Sequence, residues 1–126
     1  MKVIENYQRA IETADEDLLK EVFAARVRVE VPAGPPADHP GNTASFIFSR
    51  VAKTAPGIKA VLTADAGDGW YFLGFDGQIE GKELQAVDQV HLNRDGKIDQ
   101  VTVYMRPIAA AQTFAEAIMQ RLQPTR

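Results

Sequence analysis

What the sequence lacks excludes several kinds of site. Its 126 residues include no cysteine, which rules out disulfides, thiol nucleophiles and cysteine-based zinc sites. Two histidines, His39 and His91, are too few for a histidine-rich metal site, and we expect no cofactor. No apolar run approaches the ~18 residues of a membrane span, and the first residues lack the apolar segment of a secretory signal. The sequence therefore predicts a cytoplasmic protein that does not enter a membrane.

Positive charge is also scarce. Lys and Arg number 14 against 17 Asp and Glu, and the formal net charge is −3. Nucleic acids and anionic membrane surfaces both attract a basic face, so we expect neither as a partner. The length suits one domain, for which ~100–150 residues are typical. We predict a single domain over residues 1–122 and a frayed tail over 123–126.

The first half of the chain predicts two helices followed by a strand. Apolar residues spaced by three and four indicate a helix over 3–13. Asp15 is a good N-cap for a second helix. The apolar positions of that second helix are Leu18, Leu19, Val22 and Phe23. From Arg26 to Val31 the period changes to two, which indicates a half-buried strand.

Proline and glycine interrupt the pattern after this strand. Four prolines and two glycines over residues 32–43 favour a loop. Asn42 or Thr43 is expected to cap a third helix over roughly 43–55. The apolar candidates of that helix are Phe46, Ile47, Phe48 and Val51.

The second half predicts a sheet and a closing helix. Glu80-Gly81 is a plausible two-residue hairpin turn between two long strands, and Pro107 suits the first turn of the last helix. Strands are expected over 59–64, 70–79, 82–92 and 98–105. Inward positions of the last helix are expected at Ile108, Ala111, Ala115, Ile118, Met119 and Leu122. The order is that of an α+β protein with helices on one face of a mostly antiparallel sheet.

Asp88 is the anomalous residue of this pattern. It shares one face of its strand with Leu84, Ala86, Val90 and Leu92. An unpaired ionised carboxylate costs several kcal/mol in such a place, so it should be paired, protonated or facing a cavity. A purely structural pairing with a backbone amide, an Arg or a Tyr is the competing interpretation. Because no Lys or Arg shares this face, we expect burial to raise the pKa of Asp88.

The hairpin turn also assigns neighbours to the two faces of the sheet. A tight turn would place Leu73 opposite Asp88, with Tyr71 and Phe75 on the same face. Tyr7 on the first helix is, by itself, a core residue whose hydroxyl needs a partner. The opposite face of the sheet carries Trp70, Phe72, Val87, His91, Thr102 and Tyr104. Since no helix remains in the sequence to cover these large groups, we predict a homodimer through this face.

Two segments of the chain carry a recognisable pattern. The first segment runs from Tyr7 through Phe23 into the strand that ends at Val31. The second, VDQVHLNRDGKI over residues 87–98, is an Asp-bearing strand that runs into a DGKI turn. Together they resemble the nuclear transport factor 2-like superfamily, which includes SnoaL-like polyketide cyclases, scytalone dehydratase and ketosteroid isomerase. The resemblance implies a cone-shaped barrel, in which a curved, mostly antiparallel sheet wraps around the N-terminal helices and an apolar pocket opens at one end. It also implies a homodimer.

The resemblance further implies roles for individual residues. Ketosteroid isomerase pairs an Asp general base with an oxyanion hole made of a Tyr and a protonated Asp. In this pattern Tyr7 and Asp88 align with the two residues of the oxyanion hole, and they are the candidate catalytic residues. The general base aligns with Val31, whose side chain cannot accept or donate a proton. The candidate substrate-binding residues are Phe23, Val31, Tyr71, Phe75, Val90, Val101, Val103 and Met105.

Three hypotheses of function remain open, because a fold alone does not decide among them. The first is a cofactor-independent isomerase, cyclase or dehydratase for an apolar carbonyl compound, with Asp88 as acid–base group, Tyr7 as donor, and Asp38 or His39 as a further group. The second is a non-catalytic binder of a small apolar molecule, and the third is a dimeric scaffold. A pocket of ~300 Å³ or more argues against the scaffold. A second ionisable group near Asp88 argues for the enzyme.

Overall fold

The computed structural model describes residues 1–122, except for the side chains of residues 117, 118, 121 and 122. Four helices and six strands follow one another along this part of the chain. The elements are α1 (Lys2–Thr13), α2 (Glu16–Val22), β1 (Phe23–Glu30), β2 (Ala37–Pro40), α3 (Gly41–Lys53), β3 (Lys59–Gly67), β4 (Trp70–Ile79), β5 (Lys82–Leu92), β6 (Ile98–Arg106) and α4 (Ile108–Leu122). The expected tail over 123–126 and the expected inward side chains of Ile118 and Leu122 lie outside the described residues.

The strands form one mixed sheet in the order β2-β1-β6-β5-β4-β3. Neighbouring strands are antiparallel except β1 and β6, which run parallel. The predicted α+β class and mostly antiparallel sheet are confirmed. The sheet does not close into a full barrel, because β2 and β3 form its two edges and do not pair with each other. None of the described helices is both long and apolar enough to cross a membrane.

The two N-terminal helices form largely as their sequence indicates. The apolar stripe of α1 is buried at Ile4, Tyr7, Ala10 and Ile11. The Asp15 side chain accepts a hydrogen bond from the Leu18 amide at 3.1 Å, which is the expected N-cap. The assignment of Phe23 to α2 was wrong. Its backbone is extended, and it is the first residue of β1.

The loop expected over residues 32–43 contains regular structure at its end. Residues Ala37–Pro40 form the edge strand β2 against β1, with His39 opposite Val27. An edge strand tolerates proline because it has one side that needs no ladder hydrogen bond. α3 then begins at Gly41 without a side-chain cap, so the prediction of Asn42 or Thr43 as the cap was wrong.

Close packing at Gly41 sets the start of α3. A Cβ at this position would overlap the carbonyl oxygen of Ala24 in β1, so the chain approaches the strand as only glycine can. Farther along the helix Phe48 is buried whereas Phe46 is exposed, with the Arg50 guanidinium 4.6 Å from its ring centre. The inward face of α3 therefore follows Ala44, Phe48, Val51 and Ala52.

The hairpin of β4 and β5 has the predicted bounds and turn. Glu80 and Gly81 both have positive φ angles, 49° and 80°, as a type I′ turn requires. The resulting register pairs Leu73 with Asp88.

The prediction of which α4 side chains point inward was wrong. Its buried described side chains are those of Ala110 and Phe114, whereas Ile108 is 77% and Met119 55% exposed. Ala111 and Ala115 lie beside the buried positions and are half-buried. The direction in which the helix leaves β6 after Pro107 turns positions 110 and 114, one helical turn apart, towards the core.

Candidate functional site

Tyr7 and Asp88 meet in the interior although 81 residues separate them in the chain. The Tyr7 hydroxyl donates a hydrogen bond to Asp88 Oδ2 at 2.6 Å. Tyr7 is fully buried and Asp88 is 5% exposed. The distance is that of a short O–H···O⁻ or O–H···O hydrogen bond between two groups removed from water.

The surrounding elements explain why the two side chains meet. Asp88 lies at the centre of β5, between Leu73 on β4 and Val103 on β6. All three point to the inner face of the sheet, which packs against the helices. Tyr7 is on the buried stripe of α1, so its hydroxyl reaches the same interior.

Burial governs the acid–base properties of the pair. Burial raises the pKa of Asp88 from 3.8 to about 7, and the hydrogen bond from Tyr7 lowers it in part. Burial also raises the pKa of the Tyr7 hydroxyl well above its ordinary range, helped by the negative charge of Asp88 and the hydrogen bond to it. Near neutral pH, Tyr7 is therefore a neutral donor and Asp88 is present both with and without its proton.

Asp88 also lines a small apolar cavity of about 30 Å³. Of the residues proposed from the sequence, the cavity is lined by Phe75, Asp88, Val103 and Met105. Its volume is enough for a water molecule but far below the ~300–1,000 Å³ of sites for drug-sized ligands. The expected pocket open at one end is therefore closed in this structure, and helices form its far wall.

The other proposed substrate-binding residues do not line this cavity. Phe23 packs beside Tyr7, with ring centres 6.2 Å apart, and also contacts Phe48 edge-on. Val90 and Val101 pair with each other across β5 and β6 and are fully buried. Val31 is half-buried against the core, next to the end of β1.

Tyr71 is buried in the core but lines a different cleft from the cavity at Asp88. Its hydroxyl donates to Met1 Sδ at 3.6 Å, and it lines an open surface cleft with His91 and Asp99. In that cleft His91 Nδ1 lies 2.7 Å from Asp99 Oδ1, and its ring centre is 4.6 Å from that of Trp70. Tyr71 therefore does not line the cavity at Asp88, where it was expected to accompany the carboxyl around a ligand.

Sequence reasoning missed the helical wall of the cavity. Beyond the four residues named above, the cavity is lined by Ile11, Phe48, Val51, Ile58, Ala86 and Phe114, together with Ala52 and Ala55. Ala86 was recognisable, since it has the same strand parity as Asp88. Phe48 and Val51 have helical spacing, but no local signal ties Phe114 to the opposite wall.

Asp38 and His39 do not supply a second group beside Asp88. Both are in β2, where they pair with Arg28 and Val27 of β1. Among the described side chains that line the cavity, Asp88 alone is ionisable. Within the same described part of the chain, Tyr7 is the residue that adds a polar group at hydrogen-bonding distance from Asp88.

Comparison with known proteins identifies the architecture. Neither a protein-family model nor a curated protein sequence matches the chain. A solved protein of unknown function from Cytophaga hutchinsonii, described as NTF2-like, superposes with a TM-score of 0.65 at 18% identity over 83% of this chain and 88% of its own. The chain has the nuclear transport factor 2-like fold.

Two solved structures with this nuclear transport factor 2-like architecture are described as enzymes. A steroid delta-isomerase from Pseudomonas aeruginosa superposes with a TM-score of 0.87 at 20% identity, covering 96% of this chain and 89% of that protein. A putative polyketide cyclase from Sinorhizobium meliloti has a TM-score of 0.62 at 22% identity, covering 82% and 94%. At these identities the comparisons establish a shared fold.

Proposed function

We propose that the protein binds a small apolar molecule with a carbonyl or hydroxyl group and that Asp88 exchanges a proton with it. The observation that carries this proposal is the Tyr7–Asp88 hydrogen bond of 2.6 Å beside an apolar cavity. The reaction class is cofactor-independent proton transfer, as in an isomerase, cyclase or dehydratase.

The chemistry follows from the acid–base state of Asp88. Its protonated form can donate to a carbonyl oxygen, and its ionised form can accept a proton from a carbon or hydroxyl. A general acid or base works best when its pKa is close to the working pH, and a pKa of about 7 meets that condition. Tyr7 holds the carboxyl in place and stabilises its ionised form.

A non-catalytic binder is the second candidate function. The base of the isomerase pattern falls on Val31, and the cavity offers Asp88 as its single ionisable lining group among the described residues. In this case Tyr7 and Asp88 would only orient the oxygen of the ligand. The two candidates differ in whether a proton leaves the bound molecule.

Hydrogen–deuterium exchange distinguishes the two candidates. Acetone, the smallest ketone, is incubated in D₂O with the wild type, with Asp88→Asn and with Asp99→Asn, a carboxyl-to-amide control outside the cavity. An enzyme should speed deuterium uptake next to the carbonyl, and Asp88→Asn should lose at least 10-fold of that rate while Asp99→Asn keeps it. Uptake at the buffer rate would favour the binder.

Binding is tested separately with small ketones and phenols of increasing size and their hydrocarbon counterparts. We expect the oxygenated compounds to shift the ¹³C signal of the Asp88 carboxyl. We also expect Tyr7→Phe and Asp88→Asn to weaken their binding. If no compound of either kind depends on residue 88, the proposed function is wrong.

We also propose that the partner of the chain is a second copy, through the outer face of the sheet. Leu62 and Tyr104 on this face are 60% and 54% exposed, and Val87 lies between them. The cavity of about 30 Å³ is below the ~300 Å³ that would argue against a dimeric scaffold, and such a scaffold would need this surface alone. A ligand-binding protein would use it beside the site at Asp88.

A further inference from the structure

Phe114 stands on the wall of the cavity that belongs to α4. The opposite wall is the inner face of β4, β5 and β6, which carries Phe75, Asp88 and Val103. Phe114 is 3% exposed, and it is the described side chain of α4 that lines the cavity. The ring therefore occupies interior space that would otherwise continue from Asp88 towards α4.

The volume of the Phe114 ring is large compared with the free volume of the cavity, so the ring affects which ligands can enter. The free volume of about 30 Å³ holds little more than a water molecule. Removing a phenyl ring frees on the order of 100 Å³, which approaches the ~150 Å³ of an engineered apolar cavity that takes up benzene. Truncation of this side chain would thus bring the cavity close to the volume that holds a single aromatic ring.

We propose that Phe114 sets the size limit of the site at Asp88, so that one-ring apolar phenols and ketones enter where this ring is absent or turned aside. The inference rests on the proposed function only for the role of Asp88. The size limit itself concerns apolar volume, and a hydrocarbon tests it without any hydrogen bond.

The experiment measures binding of two probes of similar shape, toluene and 4-methylphenol, by NMR titration. The variants are Phe114→Ala, Phe114→Leu and Phe114→Trp, with Ile108→Ala as a control on the exposed side of the same helix. We expect Phe114→Ala to bind toluene at least 10-fold more tightly than the wild type. The gain in affinity for toluene should be smaller in Phe114→Leu and absent in Phe114→Trp and Ile108→Ala.

Several outcomes would overturn the size limit. One is that Phe114→Ala folds but binds toluene no more tightly than the wild type. Another is that Ile108→Ala gains as much affinity for toluene as Phe114→Ala. If Phe114→Ala does not fold, Phe114→Leu decides in the same way. A one-ring probe that binds the wild type and Phe114→Trp equally well would also contradict it.

The second probe keeps the two proposals distinguishable. In Phe114→Ala, 4-methylphenol should bind more tightly than toluene, and adding Asp88→Asn should remove most of that difference. If both probes bind equally with and without Asp88, the size limit at Phe114 is supported and the proposed function is contradicted. If Phe114→Ala binds toluene no more tightly than the wild type, while binding of 4-methylphenol to the wild type still depends on Asp88, the size limit is contradicted and the proposed function is supported.

Discussion

Asp88 is subject to two opposed influences on its pKa, and burial outweighs the Tyr7 hydrogen bond. In the unfolded chain a free Asp titrates near ~3.9, whereas in the native state its pKa is about 7. The native state therefore holds the proton more tightly. The free energy of unfolding should fall as pH rises from about 4 to 7 and then stay level. At ~1.4 kcal/mol for each pKa unit, the loss is on the order of 4 kcal/mol.

Replacing Asp88 by Asn should abolish this loss. The amide keeps the shape of the carboxyl and can still accept from Tyr7, but it cannot ionise. We expect Asp88→Asn to match or slightly trail the wild type at pH 4 and to be more stable at pH 8. Denaturant melts at both pH values measure the difference, with Asp95→Asn, a change at an exposed turn residue, as the control. A mutant that is strongly destabilised at pH 8 would identify Asp88 as an ionised structural brace.

Val31 leads to a prediction about activity. A general base contributes ~10²–10⁴-fold to such a reaction, and a valine contributes none. The wild type should therefore turn over a Δ5-3-ketosteroid at no more than the background rate, an outcome that the closed cavity reinforces. Rapid turnover by the wild type would show that another residue acts as the base.

At the scale of elements, the contact between α3 and β1 depends on Gly41. Adding a Cβ there forces α3 away from the Ala24 carbonyl, and overpacking of this kind costs ~1–3 kcal/mol. We expect Gly41→Ala to lower the free energy of unfolding by that amount. Gly34→Ala is the matched control in the same segment, because nothing lies within 4 Å of a Cβ at Gly34. Equal free energies of unfolding for the two variants, measured by denaturant melts, would contradict the packing argument.

The whole molecule presents an outer sheet face whose centre is apolar. Leu62, Gly74, Val87 and Tyr104 follow one another across four strands and line a shallow groove. Thr102, expected on the open part of this face, is instead buried with its hydroxyl 2.5 Å from Glu30 Oε1. The remaining apolar surface supports the predicted homodimer.

Light scattering at micromolar concentration tests the dimer. The wild type should show twice the chain mass of 13.8 kDa, and Val87→Lys should show the single mass because it places a charge within the contact. Phe46→Lys, which introduces the same residue at an exposed position of α3, should remain dimeric. A monomeric wild type would reject the prediction.

Much of the β4–β5 region could be predicted because its signals are local. Alternation over residues 84–92 identifies the inner face, and the two-residue turn at Glu80-Gly81 fixes the register of Leu73 with Asp88. The raised pKa of Asp88 followed from the same pattern, since that face carries no cation. For these features, each residue and its near neighbours carry enough information.

Other features depend on contacts between distant segments. Residues 37–40 become a strand because β1 offers an unpaired edge, which outweighs the local preference of prolines for a loop. Phe114 reaches the wall opposite Asp88 because of the direction in which α4 leaves the sheet, and its alanine-rich neighbours mark no strong apolar stripe of their own. The chemical character of Asp88 was therefore readable from local alternation. The volume left beside it was not, because that volume is the space left between packed side chains of α1, α3, α4 and the strands β4, β5 and β6.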